Sequence, residues 1–307
     1  MENLIFIAVY LLLGLALQRV KQFPQNTGQV LNLYVIYIAL PALVLQKIPA
    51  LTFSSALIIP ALLPWLLLAL VVPLILLLAK RFHWSRGATG ALLICIPLGN
   101  TSFLGLPMIE AFYGAEALPY GVLYDQLGSF LGLAIYATII AAVYSDQQTR
   151  PSAWQITHRI VIFPPFIALV AAFGLRGFSY TPVLQSMVDT LAATLVPVIM
   201  IAVGFQLKFR LARHDRNPLL VGLLLKLVAM PLLAIALLVW TGFDDVVVQV
   251  SIFEAAMPPM ISAGAVAIMA GLAPSLSAAL VGYGILFCFL TLPLVYQLLL
   301  YLNGVVG

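Results

Sequence analysis

Apolar segments long enough to cross a lipid bilayer follow one another along almost the whole chain. A membrane-spanning helix needs about 20 apolar residues, and shorter helices of about 17 also occur. Only 8% of the 307 residues are charged, whereas soluble proteins average roughly 25%. The sequence therefore predicts an all-α polytopic membrane protein. Its ten predicted spans are residues 4–20, 30–45, 56–79, 87–112, 118–143, 160–175, 183–207, 218–240, 246–272 and 276–302.

The basic residues are distributed unevenly between the predicted loops. If the N-terminus lies outside, eleven of the fourteen Lys and Arg residues fall in inside loops. Such a bias sets the orientation of a membrane protein. We therefore predict an inner-membrane protein with both termini on the extracytoplasmic side. The inside basic residues are Arg19, Lys21, Lys80, Arg81, Arg86, Arg150, Arg159, Lys208, Arg210, Arg213 and Arg216.

Two of the predicted spans are interrupted near their middle. Residues 93–107 read LICIPLGNTSFLGLP, and residues 252–265 read IFEAAMPPMISAGA. Proline removes a backbone donor and glycine loosens a helix, so both segments leave peptide groups unpaired. Such groups are tolerated at membrane depth only in protein or beside a water-filled cavity. Two interrupted helices at matching positions indicate the midplane substrate site of a secondary transporter.

The interruptions also divide the chain into two similar halves. Each half contains five spans, and the break lies in the fourth span of each. An odd number of spans inverts the second half, so helices 4 and 9 are expected to cross at their breaks near the bilayer midplane. We predict one inverted repeat over residues 1–145 and another over residues 159–307. Residues 146–158 form the cytoplasmic connection between them.

Polar residues beside the breaks form the predicted substrate site. Asn, Thr and Ser favour helix N-termini, where free N–H groups and the helix dipole attract a carboxylate or phosphate. Met260 and the residues after it are expected to offer free donors in the same way. The alternative is a pair of kinked helices whose polar side chains bond to neighbouring helices. The predicted substrate-binding residues are Pro97, Asn100, Thr101, Ser102, Pro258, Pro259, Met260 and Ser262.

Charged residues within the spans are candidates for ion coupling. Glu254 lies one turn before Pro258, and Asp125 precedes Gln126 in the fifth span. A carboxyl group inside a membrane is expensive, so it suggests a proton or cation site. Alternatively, the Glu254 carboxyl only holds the crossing together. Lys226 in the eighth span is expected to extend toward the cytoplasm, or else to balance Glu254 or Asp125.

Several classes of function find no support in the sequence. The three histidines lack the spacing of a metal site. The chain contains no glycine-rich phosphate-binding loop and no evident nucleophile–base pair. The net charge of +4 belongs to the basic loops and does not indicate a nucleic-acid partner. We therefore predict no cofactor, no metal and no enzymatic activity.

The motifs LGNTSFLGLPMIEAFYG, YDQLG and EAAMPPMISAGAVAIMAG resemble the auxin efflux carrier family of plants and bacteria. The resemblance covers essentially the whole chain. It implies a ten-helix fold shared with bile-acid and sodium–proton transporters. Helices 1, 2, 6 and 7 would form a dimerising scaffold, and helices 3–5 and 8–10 a transport domain with elevator-like movement. By this resemblance, Asn100 and its neighbours meet the carboxylate of an organic anion beside Pro258 and Pro259.

The leading hypothesis is a secondary transporter of small organic anions, with carboxylates such as malonate or malate as the substrate class of bacterial relatives. The second is a cation–proton antiporter or ion-coupled symporter that uses Glu254 and Asp125 to bind H⁺ or Na⁺. The third is a ligand sensor or channel-like receptor. The lack of a signalling domain outside the membrane counts against this third hypothesis.

Overall fold

The computed structural model describes residues 2–51, 54–145, 152–178, 180–207 and 215–306. Within these ranges the elements are helices, and two residues form one isolated β-bridge. The loop residues Arg150, Lys208, Arg210 and Arg213 and part of the predicted connection 146–158 lie outside the described residues. In chain order, the helices are α1 Glu2–Leu17, α2 Thr27–Lys47, α3 Ser55–Phe82, α4 Arg86–Cys95, α5 Leu106–Tyr113, α6 Ala115–Tyr144, α7 Ala153–Val161, α8 Pro164–Gly174, α9 Pro182–Gln206, α10 Arg216–Thr241, α11 Val246–Ala255, α12 Ile261–Met269 and α13 Pro274–Val306.

The lengths of these helices fit a protein that crosses the membrane several times. Within the described ranges, six helices (α2, α3, α6, α9, α10 and α13) are long and apolar enough to span a bilayer. The pair α7 and α8, which bend by 61° at their junction, would make a seventh span. The first, fourth and ninth predicted spans coincide with the shorter helices α1, α4–α5 and α11–α12. A count of ten spans therefore stays a prediction.

Local side-chain chemistry fixes several helix ends. The Ser85 hydroxyl accepts a hydrogen bond from the N–H of Ala88 at the start of α4, at 3.2 Å. The Asp245 carboxylate accepts one from the N–H of Val247 at the start of α11, at 2.8 Å. Each cap satisfies a donor that has no partner inside its helix. Both interrupted spans therefore begin at a defined residue.

The helices pack into two compact units. Over its described residues, the first unit comprises Met1–Ser54, Ser102–Val122 and Thr157–Leu207. The second comprises Ser55–Thr101, Leu123–Ile156 and Lys208–Gly307.

In the first unit, α1 lies unusually close to α9. A Cβ atom on Gly204 would lie 2.0 Å from the carbonyl oxygen of Leu11, and one on Gly14 would lie 2.1 Å from that of Ile201. Small residues of this kind let helices approach closely in a membrane, where packing replaces the hydrophobic effect. The amide group of Gln18 then donates to carbonyl oxygens at the end of α9. This unit is therefore held by backbone-to-backbone packing.

In the second unit, the two helices that lead into the breaks form the core. Every residue of α4 from Ala88 to Cys95 is buried, as is every residue of α11 from Val247 to Ala255. Helices that are buried on all sides over these residues form the interior of the unit. By contrast, α3 buries Leu63 and Leu67 but exposes Leu62, Leu66, Leu70 and Leu77 on its other face, as a lipid-facing helix does. The breaks are thus surrounded by protein.

Candidate functional site

The first interruption lies between α4 and α5. The α-helix ends at Cys95, and helical structure resumes at Thr101 as a π-helical turn, Thr101–Gly105. Pro97 lies within the non-helical residues 96–100. The predicted break is therefore present, although the segment after it begins as a wide π-helical turn instead of an α-helical N-terminus.

The second interruption lies between α11 and α12. The helix ends at Ala255 and resumes at Ile261, with Pro258 and Pro259 in the gap. Gly284 of α13 makes room for these two rings, because a Cβ atom there would lie 2.5 Å from Cδ of Pro259. The double proline is therefore packed against a neighbouring helix at a position without a side chain.

The two interruptions pair with each other. The N–H of Asn100 donates to the carbonyl oxygen of Pro258 at 2.8 Å, and the N–H of Met260 donates to that of Leu98 at 3.0 Å. These bonds form an antiparallel bridge between Gly99 and Pro259. We call residues 98–100 and 258–260 the paired breaks. All of them lie in the second unit.

This pairing corrects one expectation from the sequence. Met260 was predicted to offer a free backbone donor, but its N–H is bonded to Leu98. Buried peptide groups are almost always paired, and here each break satisfies part of the other. The first-turn N–H groups of residues 261–263 remain without acceptors inside α12, as at any helix start.

A second set of contacts joins Thr101, the residue directly after the first break, to the fifth predicted span. The hydroxyl of Thr101 donates to Oδ1 of Asp125 at 2.5 Å, and Nε2 of Gln126 donates to Oδ2 of Asp125 at 2.7 Å. All three side chains are buried. The Thr101 hydroxyl therefore bonds to a buried carboxyl group of the fifth predicted span.

Several polar atoms beside the paired breaks have unused hydrogen-bonding capacity. Within the described structure, Nδ2 of Asn100, Oε1 of Gln126 and both carboxyl oxygens of Glu254 are buried and lack a hydrogen-bond partner. Asn100 is 2% exposed and Glu254 is 0% exposed. Unsatisfied buried polar groups are rare in native proteins, and each one calls for an explanation. A polar ligand is one explanation for several such atoms in one unit.

Lys226 also lies at this site, and the prediction that it extends toward the cytoplasm is wrong. Its side chain is 1% exposed, and Nζ contacts the carbonyl oxygen of Ala255 at 3.4 Å. The carboxyl group of Glu254 interacts electrostatically with both Lys226 and Asp125. Lys226 was not among the predicted site residues, but the sequence left open a role as counter-charge to Glu254 or Asp125, because a lone lysine in an apolar span usually has a function.

Three parts of this site lie in π-helical turns. Thr101 begins the turn Thr101–Gly105, Asp125 begins Asp125–Phe130, and Lys226 lies in Leu225–Ala229. Such turns are rare and often occur at functional sites, because they redirect side chains within a helix. Three of the five π-helical segments in the described ranges therefore contain a buried polar residue of this site.

The remaining predicted residues have different positions. Pro97 lies in the first break, and Ser262 is the half-buried second residue of α12. Ser102 begins the stretch 102–122, which belongs to the first unit. The structure thus brings Asn100, Thr101, Asp125, Gln126, Glu254 and the second break together in one unit.

The first unit contains a separate cavity of about 450 Å³. Its polar lining includes Lys47, Glu110 and Asp189, and none of its lining residues is a predicted site residue. The carboxylate of Asp189 accepts hydrogen bonds from Gln46 and Gln185, so it is held within its own unit. In the described part of the chain, no cluster of three or more His, Cys, Asp or Glu side chains could hold a metal ion.

Comparison with known proteins gives one family and several relatives. A family model described as membrane transport protein matches residues 1–296. An "Uncharacterized transporter" of Methanothermobacter thermautotrophicus is 26% identical over 297 residues, which cover 95% of this chain and 96% of the relative. A "Putative malonate transporter" of Rhizobium meliloti is 25% identical over 260 residues, which cover 80% of this chain and 79% of the relative.

Proposed function

This chain belongs to the membrane transport protein family, the family of the auxin efflux carriers, and we propose that it is a secondary carrier of small organic anions. The substrate binds at the paired breaks. The observation that carries this proposal is the buried amide Nδ2 of Asn100, which lacks a partner beside two joined helix interruptions. A carboxylate oxygen is a suitable acceptor for that amide.

The proposed binding site uses the second break as well. The N–H groups of residues 261–263 open α12, and a helix N-terminus carries partial positive charge that favours an anion. Ser262 adds a hydroxyl group close to these donors. Pro97, Pro258 and Pro259 interrupt the two helices, Met260 directly precedes α12, and Thr101 and Ser102 directly follow the first break in the chain.

Carboxylates are the proposed substrate class. The relative from Rhizobium meliloti is named as a malonate transporter. Malonate is also small enough to serve as the first probe. A carboxylate also matches the donors available, namely an amide group, a helix N-terminus and a hydroxyl.

Ten helices in two inverted repeats, residues 1–145 and 159–307, remain the proposed architecture. The matching positions of the two breaks and the bias of the basic residues support it. Predicted spans 1, 2, 6 and 7 form the proposed scaffold and dimer interface. Predicted spans 3–5 and 8–10 form the proposed transport domain. In this mechanism the transport domain carries the paired breaks across the bilayer like an elevator.

A second candidate function is cation–proton antiport or ion-coupled symport through Glu254 and Asp125. It is favoured by one observation, the burial of both Glu254 oxygens without a hydrogen-bond partner in the described structure. A carboxyl group in that environment is a suitable proton carrier. Gln126 would orient the second carboxyl group, because its amide donates to Asp125.

Uptake into proteoliposomes distinguishes these functions. Purified protein is reconstituted and given radiolabelled acetate, malonate, succinate and malate, under an imposed pH gradient with and without sodium. Uptake of at least one carboxylate above that of protein-free vesicles supports the anion carrier. Sodium-dependent proton flux without carboxylate uptake supports the second candidate. An absence of both would contradict both functions.

A further inference from the structure

Lys226 is a buried lysine whose amino group makes only weak contacts. Its side chain is 1% exposed. The acceptors described for its ammonium group are the carbonyl oxygen of Ala255 at 3.4 Å and Sδ of Met230 at 3.7 Å. Good hydrogen bonds from nitrogen to oxygen measure about 2.7–3.2 Å. An ammonium group has three donors and loses much solvation on burial, so these two contacts compensate it poorly.

The ammonium group lies directly beside the paired breaks. A Cβ atom on Gly99 would lie 3.3 Å from Nζ of Lys226 and 3.4 Å from the carbonyl oxygen of Glu254. Glycine at this position therefore leaves the space that lets the ammonium group approach the broken backbone. The next residue, Asn100, carries the buried amide that lacks a partner.

The charges around Lys226 leave it available to a ligand. Glu254 interacts with it electrostatically, but both Glu254 oxygens lack a hydrogen-bond partner, so the two groups are not bonded to each other. Asp125 accepts hydrogen bonds from Thr101 and Gln126. Lys226 and Glu254 therefore share a buried site without a direct hydrogen bond, and the donors of Lys226 are not used by either carboxyl group in the described contacts.

We propose that Lys226 is a substrate-binding residue whose ammonium group binds the carboxylate of the transported organic anion. This inference rests on the proposed function and adds the positive charge that the predicted site lacks. Asn100 and the start of α12 bind the same substrate through neutral donors, and Lys226 selects for negative charge. Neutral analogues of the substrate should therefore bind poorly.

A structural role for Lys226 makes a different prediction. Ala255 is the last residue of α11, and a lysine near a helix C-terminus can stabilise the helix through its dipole. If that were its only role, removal of the charge would lower the stability of the ligand-free protein and leave ligand affinity intact. If Lys226 serves the ligand, removal of the ammonium group should weaken ligand binding, whatever it does to the ligand-free protein.

The test compares wild-type protein with Lys226→Met and Lys226→Gln, and uses Lys80→Met, an exposed lysine at the end of α3, as the matched control. Malonate, acetate and succinate are the probes. Binding is measured by titration of purified protein, and stability by thermal unfolding with and without probe. We expect both Lys226 variants to bind about 10- to 100-fold more weakly, as loss of a charge-assisted hydrogen bond predicts. Lys80→Met should bind the probes like wild type.

Two results would overturn the role of Lys226. One is a wild-type-like affinity in both variants, within about twofold. The other is a marked loss of stability in ligand-free Lys226→Met together with unchanged binding by Lys226→Gln. Both leave the anion carrier intact. A wild-type protein that binds and transports none of the probes would instead contradict the proposed function itself.

Discussion

The backbone N–H of Asn100 donates a hydrogen bond to the carbonyl oxygen of Pro258 at 2.8 Å, so a donor of one helix interruption pairs with an acceptor of the other. The partner bond from Met260 to Leu98 makes the connection reciprocal. Because two peptide groups of each break are joined in this way, side chains and the remaining helix-start donors are left to bind a substrate.

The amide of Asn100 should contribute directly to affinity. We expect Asn100→Ala to bind malonate about tenfold more weakly or worse, since a buried donor to a charged acceptor contributes about 1.5–3 kcal/mol. Titration of purified protein measures the change. Asn217→Ala is the control, because Asn217 is exposed and bonds only to Trp84 among the described contacts. Equal affinities of wild type and Asn100→Ala would remove Asn100 from the site.

The charge balance of the site predicts a pH dependence. Glu254 interacts electrostatically with Asp125, Lys226 and Tyr124. With both carboxyl groups ionised, the site carries one excess negative charge, so a bound anion favours a proton on Glu254. Affinity should therefore rise as pH falls, and Glu254→Gln should show a smaller dependence of affinity on pH than wild type.

Binding titrations of malonate at several pH values measure this effect. Glu116→Gln, at an exposed position, should keep the wild-type pH profile. If Glu254→Gln also keeps that profile, the Glu254 carboxyl has a structural role only.

Gly284 should be essential for packing of the second break. A Cβ atom there would lie 2.5 Å from Cδ of Pro259, and a proline ring cannot move aside. We expect Gly284→Ala to lower the free energy of unfolding by about 1–3 kcal/mol through overpacking and to reduce uptake. Gly304→Ala on the same helix meets nothing within 4 Å and should be neutral. Thermal unfolding that is equal in both variants would show that the prolines are not packed against α13.

The bond between Thr101 and Asp125 should stabilise the second unit. Thr101→Val keeps the shape of the side chain and removes the hydroxyl that donates to the carboxyl group. The expected loss is about 1.5–3 kcal/mol, measured as a lower unfolding temperature. Thr190→Val removes a hydroxyl bonded to the carbonyl of Ser186 at an exposed position and should have little effect. A Thr101→Val protein as stable as wild type would mean that water or a neighbouring group replaces the hydroxyl.

The positions of the interruptions could be read from the sequence because they depend on local chemistry. Pro97 and the Pro258–Pro259 pair remove backbone donors wherever the helices lie, so both breaks were predictable. The pairing of Asn100 with Pro258 could not be derived in this way, because it depends on how two distant segments meet. The predicted free donor at Met260 was wrong for that reason.

The position of Lys226 shows a second limit of sequence reasoning. The sequence gives the depth of a residue within a span, but not the direction in which its helix faces. A lysine at that depth can extend to the membrane surface or turn into the protein. The π-helical turn Leu225–Ala229 also changes the facing of α10 at this residue. Only the packed structure shows that the ammonium group lies beside Gly99.

Substrate protection of a cysteine at the start of α12 tests most directly whether an organic anion binds at the paired breaks. The two native cysteines are buried and can be replaced by alanine, after which Ser262→Cys provides a half-buried thiol and Ser152→Cys an exposed control. Maleimide labelling is followed with and without malonate, or with whichever carboxylate the uptake panel identifies. At about ten times the dissociation constant, labelling of Ser262→Cys should slow about tenfold, while that of Ser152→Cys stays constant. Unchanged labelling of Ser262→Cys at concentrations that saturate uptake would place the substrate elsewhere.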